Sequence, residues 1–196
     1  MRRKLLATAM TALWLMSASG PVAQAQAKQN KPALQGRSAD TDRSEKHQHM
    51  LANAVRHELA TLPYYDVFDW LEAELVPGGG VVLRGQVVRP TTATDAVNRV
   101  RSLESVTEVT NEIKVLPLSR NDDDLRVSLY RAIYNWSSPL FRYAMRAMPP
   151  IHIIVENGRA TLKGAVAQQL ESQLAYTYAS QVPGIFEVRN ELRVDE

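Results

Sequence analysis

An internal duplication limits the folds that are open to this chain. When the sequence is shifted by 79 positions, Val81-Val-Leu-Arg-Gly-Gln-Val87 falls on Ala160-Thr-Leu-Lys-Gly-Ala-Val166. The same shift places Val109-Thr-Asn-Glu-Ile-Lys-Val115 on Val188-Arg-Asn-Glu-Leu-Arg-Val194. The offset holds without a gap from Leu83 to Val115, so the chain contains two copies of one unit. The repeat is too long for a solenoid, and each copy is expected to be a small domain that relies partly on its twin.

Each copy has apolar patterns typical of five elements in the order α-β-β-α-β. Apolar residues at helical spacing open each copy, and two alternating segments joined by a glycine-containing turn follow. The helically spaced residues are Leu51, Val55 and Leu59 in the first copy and Leu125, Leu129 and Ile133 in the second. A second helix is expected to start near Thr92 and near Gln168, and a further strand ends each copy. The predicted fold class is α+β: two small α-β-β-α-β units, each a three-stranded mixed sheet packed against two helices.

The first 27 residues have the composition of a secretory signal peptide. A basic start and the apolar run Leu5–Met16 are followed by small residues that permit cleavage after Ala25 or Ala27. About 12 apolar residues are too few to span a bilayer, which takes about 20. We therefore expect an exported protein, periplasmic or beyond, that is soluble after cleavage.

The remaining chain divides at two polar breaks. A disordered lead-in with almost no apolar residues is expected first, and a short linker with a proline and an acidic run separates the two domains. The predicted boundaries are 1–27 for the signal peptide, 28–49 for the lead-in, 50–117 for domain 1, 118–124 for the linker and 125–196 for domain 2.

The repeated motif resembles the BON domain, which is named for OsmY and nodulation proteins. The second copy carries the pattern almost in full, with Asn157-Gly158, Leu162, Gly164, Val166 and Pro183-Gly-Ile-Phe-Glu-Val-Arg-Asn-Glu-Leu-Arg-Val194. The first copy departs from it, with Glu104-Ser105 in place of the Pro-Gly pair. The resemblance implies an exported envelope protein with tandem domains, phospholipid association and a role in envelope integrity or osmotic stress rather than catalysis.

The two copies differ in charge. Residues 50–117 carry six basic and nine acidic side chains, a net charge of −3, whereas residues 125–194 carry eight and four, a net charge of +4. Four arginines of the second copy are interleaved with aromatic and methionine residues: Arg126, Arg131, Arg142, Arg146, Tyr130, Tyr134, Trp136, Phe141, Tyr143, Met145 and Met148. Arginine with Trp and Tyr is typical of surfaces that meet phospholipid headgroups.

This segment supplies the candidate binding site. The predicted lipid-binding residues are Arg131, Tyr134, Trp136, Arg142, Tyr143 and Arg146. The expected partner is an anionic phospholipid or membrane surface, because each basic residue near such a surface contributes about 1 kcal/mol. Alternatively, the aromatic residues pack between the copies and the arginines face solvent. The same surface would also suit a chaperone-like or protein-interaction module that binds envelope proteins, and recognition of cell-wall glycans is a weaker third possibility.

The sequence contains no set of residues that indicates catalysis. His47 and His49 lie in a polar stretch without further ligands nearby, and His152 is expected to be an exposed strand residue. The acidic run Asp122–Asp124 is interpreted as a helix cap, and the glycines at 78–80 lack the rest of a phosphate loop. We expect no enzyme activity, no metal and no cofactor. After signal cleavage, 20 basic residues face 21 acidic ones, which argues against nucleic-acid binding.

Four residues are interpreted as a structural motif. Gly85 and Gly164 alternate with apolar residues on the inward face of their strands, and Asn111 and Asn190 take the matching inward position of the last strand. Buried asparagine needs hydrogen-bond partners and space to reach them. The glycines are therefore predicted to make room for the asparagines or to let a helix approach the sheet closely.

Overall fold

The computed structural model describes the backbone of residues 35–195 and the side chains of residues 43–195. The predicted signal peptide lies outside the described residues. The first domain consists of α1 Gln35–Ala60, β1 Trp70–Val76, β2 Gly80–Val87, α2 Pro90–Arg101 and β3 Glu108–Val115. The second consists of α3 Arg120–Ile133, α4 Phe141–Ala144, β4 Ile151–Glu156, β5 Arg159–Val166, α5 Gln169–Ser180 and β6 Glu187–Val194.

Each domain is a three-stranded mixed sheet covered by two helices, as the sequence predicted. The strand orders are β1-β2-β3 and β4-β5-β6. In each sheet the first pair is antiparallel and the second pair is parallel, because a hairpin joins the first two strands and a helical crossover leads to the third. The second domain adds the single turn α4, which the repeat does not predict.

Two expectations about the polar breaks are wrong. Helix α1 begins at Gln35, within the segment predicted to be a disordered lead-in, and α3 begins at Arg120, within the predicted linker. Straight-chain polar residues such as Gln, Arg, Glu and Lys favour helix almost as well as Ala does, so a polar composition does not exclude a helix. Residues 43–50 are exposed, which explains why no apolar periodicity predicts this part of α1.

The repeated glycines allow the first two strands of each sheet to approach closely. Gly85 has φ +134° and Gly164 has φ +117°, and side chains rarely tolerate such angles. A Cβ atom at Gly85 would lie 1.9 Å from the backbone oxygen of Trp70, and one at Gly164 would lie 1.9 Å from that of Pro150. The glycines are structural, as predicted. However, they make room for the neighbouring strand, and not for a helix or an asparagine.

The repeated asparagines lie on the free edges of β3 and β6 and are exposed, so the prediction that they are buried is wrong. Each edge strand has only one neighbour in its sheet, which leaves the asparagines exposed, although the Asn190 amide also donates to the Ser172 hydroxyl of α5 (2.9 Å). Asn111 Oδ1 accepts a hydrogen bond from the backbone N–H of Ile113 (3.0 Å), and Asn190 Oδ1 accepts one from Leu192 (3.2 Å). Each asparagine therefore satisfies an outward backbone group of its own edge strand.

The two domains contact each other through β4. The backbone N–H of Ile153 donates to the backbone oxygen of Val67 (2.8 Å), which precedes β1. Val67 is buried in the core of the second domain. Residues 151–155 are buried on both faces of the sheet, so the prediction that His152 is exposed is wrong. An ion pair between Lys114 and Glu156 (2.6 Å) adds a second contact between the domains.

Candidate functional site

The arginine- and aromatic-rich segment begins on α3, whose position is fixed from its N-terminus. Ser119 is the N-cap residue, and its side chain accepts a hydrogen bond from the backbone N–H of Asp122 (3.2 Å). The buried Asp122 carboxylate accepts hydrogen bonds from Asn157 (2.9 Å) and Gly158 (2.8 Å) in the β4–β5 turn. The interpretation of the acidic run as the helix cap is therefore wrong, since Ser119 takes that position; Asp122 and Asp123 lie in the first helical turn, and Asp122 also ties α3 to the sheet.

The turn α4 is anchored to α5 through Glu171. The buried Glu171 carboxylate accepts a hydrogen bond from the hydroxyl of Tyr143 (2.7 Å) and forms an ion pair with Arg142. It also accepts hydrogen bonds from the backbone N–H groups of Ala167 (3.0 Å) and Gln168 (3.1 Å). Charge-assisted bonds of this kind are stronger than neutral ones, so a turn of only four residues has a defined position.

Two of the six predicted lipid-binding side chains lie inside the protein. Tyr134 is buried and donates its hydroxyl hydrogen to the backbone oxygen of Ile151 (2.9 Å), and its burial raises the pKa of the phenol. Tyr143 is also buried. Neither ring is placed to meet a headgroup directly, so these two assignments are wrong. Both rings are held in the core because their hydroxyls find partners there.

The other four predicted side chains are exposed. Arg131 lies in the last turn of α3, and Trp136, which is 84% exposed, lies in the loop that follows. The guanidinium carbons of Arg142 and Arg146 lie 5.0 Å and 5.1 Å from the centroid of the Tyr143 ring. The buried tyrosine thus positions two outward-facing arginines by cation–π contact.

Sequence reasoning missed two further members of this surface. The ring of Phe141 lies 4.9 Å from that of Trp136, centroid to centroid, and Met145 is 75% exposed. We define the α4 tip as Trp136, Phe141, Arg142, Met145 and Arg146. Both missed residues belong to the segment identified from composition. That segment has no counterpart in the first copy, so a comparison of the two copies could not separate its exposed residues from its buried ones.

Arg126 is a structural residue, although composition grouped it with the lipid-facing arginines. Its side chain is 3% exposed, it donates to the backbone oxygen of Val155 (2.7 Å), and it forms an ion pair with Asp123. Two of its three guanidinium nitrogens are therefore bonded inside the domain. The cations that remain available at this end of the second domain are Arg131, Arg142 and Arg146, of which Arg142 is already paired with Glu171.

The described residues contain no cluster of three or more His, Cys, Asp or Glu side chains that could hold a metal ion. None of the described helices is both long and apolar enough to cross a bilayer. The α4 tip offers aromatic, thioether and guanidinium groups.

Comparison with known proteins identifies the repeated unit. The BON domain matches at residues 51–117 and 140–196. No curated protein matches the sequence. Two solved structures of CdsD, a structural protein of the type III secretion system of Chlamydia trachomatis, are similar at 12% identity; one is its C-terminal domain. Each covers 74% of this chain and 96% or 92% of its own, with TM-scores of 0.27 and 0.28, which are too low to support a functional comparison. Since the two BON matches span more than half of the sequence, the chain belongs to the BON domain family and carries two copies of the domain in tandem.

Proposed function

We propose that this chain is a non-enzymatic, exported envelope protein whose second BON domain binds anionic phospholipid surfaces through the α4 tip, in envelope maintenance or stress tolerance. The BON family is a family of non-catalytic binding domains whose members associate with membrane phospholipids. The observation that carries the proposal is the exposed ring of Trp136, which lies 4.9 Å from the half-buried ring of Phe141 and beside the exposed Arg142 and Arg146. Rings at headgroup depth with guanidinium groups on phosphate are the usual means of interfacial binding.

The residues of the α4 tip contribute to membrane binding in different ways. Within the α4 tip, Trp136 and Met145 are the most exposed apolar side chains, so they supply the area that enters the interface. Arg146 contacts the Tyr143 ring, and no salt bridge to it is present in the described part of the chain, so its charge is available to a phosphate group. Arg142 contributes less, because its ion pair with Glu171 already offsets its charge. Arg131 adds a third cation at the end of α3.

Co-sedimentation with liposomes tests the proposal. The chain without its signal peptide should bind vesicles that contain phosphatidylglycerol and should bind neutral vesicles weakly. Reversing two charges in Arg131→Glu with Arg146→Glu should weaken binding by roughly 30-fold or more, from about 1 kcal/mol per basic residue. The control is Arg101→Glu, which changes an exposed arginine of the first domain. Equal binding to both vesicle types, or no effect of the double reversal, would contradict the proposal.

A further inference from the structure

The two sheets have four edges, and in the described part of the chain these edges differ in what lies beside them. Asn111 and Asn190 satisfy outward groups on β3 and β6. The edge of β4 is covered by residues that precede β1. The fourth edge, that of β1, borders an open groove. An open strand edge presents backbone donors and acceptors to any extended chain that fits.

The covered edge of β4 shows how such a groove is filled in this fold. The backbone N–H of Ile153 donates to the backbone oxygen of Val67 (2.8 Å), and the Val67 side chain packs into the core with Leu129. The ring of Phe68 meets that of Tyr130 on α3 edge to face, with a centroid distance of 6.3 Å. A short segment thus combines one strand-type hydrogen bond with two apolar side chains.

The edge of β1 in the first domain corresponds to the edge of β4 in the second. Ala73 pairs with Leu83 as Ile153 pairs with Leu162, two residues before the repeated glycine in each case. In an antiparallel pair, alternate residues direct their backbone groups away from the partner strand. The outward N–H of Ile153 therefore implies an outward N–H at Ala73, and the smaller side chain of Ala73 leaves more space beside it.

The groove between α1 and β1 has a volume of about 630 Å3. Its apolar lining comes from Val55, Leu59, Leu71, Ala73 and Leu75. Val55 and Leu59 belong to the core of the first domain and are buried, whereas Ala73 is exposed. An apolar floor beside a free strand edge is the arrangement that strand-adding peptides bind, with backbone bonds giving affinity and side-chain pockets giving specificity.

The charged residues around this groove indicate which charged residues a bound segment would carry. Arg84 is paired with both Glu74 and Glu112, but Arg56 and Arg193 also line the groove. The side chain of Arg56 hydrogen-bonds to the neutral amide of Asn53 (2.8 Å). Glu72 also lines the groove, where its carboxylate accepts a hydrogen bond from Trp70 Nε1 (2.7 Å). Carboxylates of an occupant are therefore favoured beside Arg56 and Arg193 in particular. The segment that covers β4 has this composition, because Asp66 and Asp69 flank its two apolar residues.

We propose that the groove between α1 and β1 binds an extended segment of a partner protein, which adds to β1 as a fourth strand. The segment presents a backbone oxygen to the N–H of Ala73, places aliphatic or aromatic side chains over Val55 and Leu59, and carries acidic residues toward Arg56 and Arg193. This site is formed by α1 and β1 of the first domain with Arg193 of β6 beside them, and it does not depend on lipid binding by the α4 tip.

A synthetic peptide with the sequence of residues 64–70, labelled with fluorescein, is the probe. Fluorescence polarisation with the chain lacking its signal peptide should give saturable binding with a Kd below about 1 mM. Arg56→Glu should weaken binding about tenfold, because it replaces an attraction by a repulsion. The matched control is His57→Glu, which places the same charge on the adjacent exposed residue of α1 and should leave binding within about twofold.

Two groove variants separate strand addition from general attraction. Ala73→Pro removes the outward N–H at an edge position, where proline is tolerated, and should weaken binding about tenfold or more because a backbone oxygen loses its partner. Ala73→Phe keeps the N–H but fills the groove, and it should also abolish binding. The proposal is supported if either variant loses peptide binding as expected while its circular dichroism is unchanged and its vesicle binding is retained.

Four results would overturn it. The peptide fails to bind at about 1 mM; it binds equally well to the Ala73 and Arg56 variants; it displaces Val67 from β4, seen as NMR shift changes at the Ile153 amide with none at Ala73; or the chain without peptide forms dimers through β1, seen by analytical ultracentrifugation. In the last case the groove is occupied by a second copy and not by a partner protein.

Discussion

Nδ1 of His152 lies 2.6 Å from the backbone oxygen of Asp69, across the boundary between the two domains. A carbonyl oxygen only accepts, so the imidazole carries its proton on Nδ1. The ring is buried between the domains, 5.1 Å from the ring of Trp70 and 5.7 Å from that of Tyr65. Burial lowers the pKa of His152, so the ring stays neutral near pH 7, and its hydrogen bond joins β4 to the residue that precedes β1.

Replacing this histidine should weaken the contact between the domains. His152→Ala removes a buried ring and leaves the Asp69 oxygen without its partner, so the free energy of unfolding should fall by roughly 2–4 kcal/mol. Urea denaturation followed by circular dichroism measures the change. His57→Ala, at an exposed site on α1, is the control and should change stability by less than about 0.5 kcal/mol. Equal effects of the two substitutions would show that the domain contact contributes little.

The Asp69 carboxyl should make stability depend on pH. Burial raises the pKa of the carboxyl from 3.8 to about 6, and the charge of Asp66 adds to the increase. The hydrogen bond that Oδ1 accepts from Val88 N (2.7 Å) and the charge of Arg89 lower the pKa, but by less. The folded state therefore binds this proton at a higher pH than the unfolded state does. This contribution is fully present below about pH 4 and is lost as pH rises through about 6.

A comparison with Asp69→Asn isolates that contribution. The variant carries no ionisable group at this position, so its free energy of unfolding minus that of the natural chain should increase between pH 4.5 and pH 7, by roughly 1–3 kcal/mol. Taking the difference removes the opposite effect of His152, whose lowered pKa makes acid destabilising. Urea melts at four pH values provide the measurement. A constant difference across this range would show that the folded state does not raise this pKa.

The repeat made the fold predictable, because the two copies support one another. Leu83 with Leu162, and Gly85 with Gly164, gave the register of the strands, and the order α-β-β-α-β followed from their apolar periods. What the repeat could not show was the contact between the copies. His152 faces Asp69 because the first domain covers β4, and no local pattern near His152 carries that information.

The candidate site was predictable in composition but not residue by residue. Tyr134 and Trp136 are two positions apart and have similar chemistry, yet one is buried and the other is 84% exposed. The difference arises because the hydroxyl of Tyr134 reaches Ile151, far along the chain. Likewise, Arg126 is buried and Arg131 is exposed, since only Arg126 donates a hydrogen bond to the backbone oxygen of Val155. Hydrogen bonds between distant segments decide which polar side chains turn inward.

Substitution of the strand glycine should be costly for steric reasons. Gly85→Ala places a Cβ atom 1.9 Å from the Trp70 oxygen at a φ of +134°, so the free energy of unfolding should fall by roughly 3 kcal/mol or more. Gly78 provides the control, because it also has a positive φ (+89°) but no atom lies within 4 Å of an added Cβ. Gly78→Ala should cost about 1 kcal/mol. Similar costs for both variants in urea melts would exclude the close approach of β1 and β2 as the reason for the glycine.

A pair of substitutions should separate the support of the α4 tip from its membrane contact. Tyr143→Phe removes the hydroxyl that donates to Glu171 and leaves the ring in place, so it should lower the free energy of unfolding by roughly 1–3 kcal/mol. Its effect on vesicle binding at low temperature should be small while the domain remains folded. Trp136→Ala removes an exposed ring and should change stability by less than about 0.5 kcal/mol.

The same tryptophan variant should bind vesicles containing phosphatidylglycerol at least about tenfold more weakly, because burial of a large apolar side chain is worth about 1.5–3 kcal/mol. Co-sedimentation and urea melts on the two variants give four values. Opposite rankings in the two assays are expected, with Tyr143→Phe the less stable protein and Trp136→Ala the weaker binder. If Trp136→Ala binds as well as the natural chain, its ring does not enter the interface, and the proposed membrane contact of the α4 tip is contradicted.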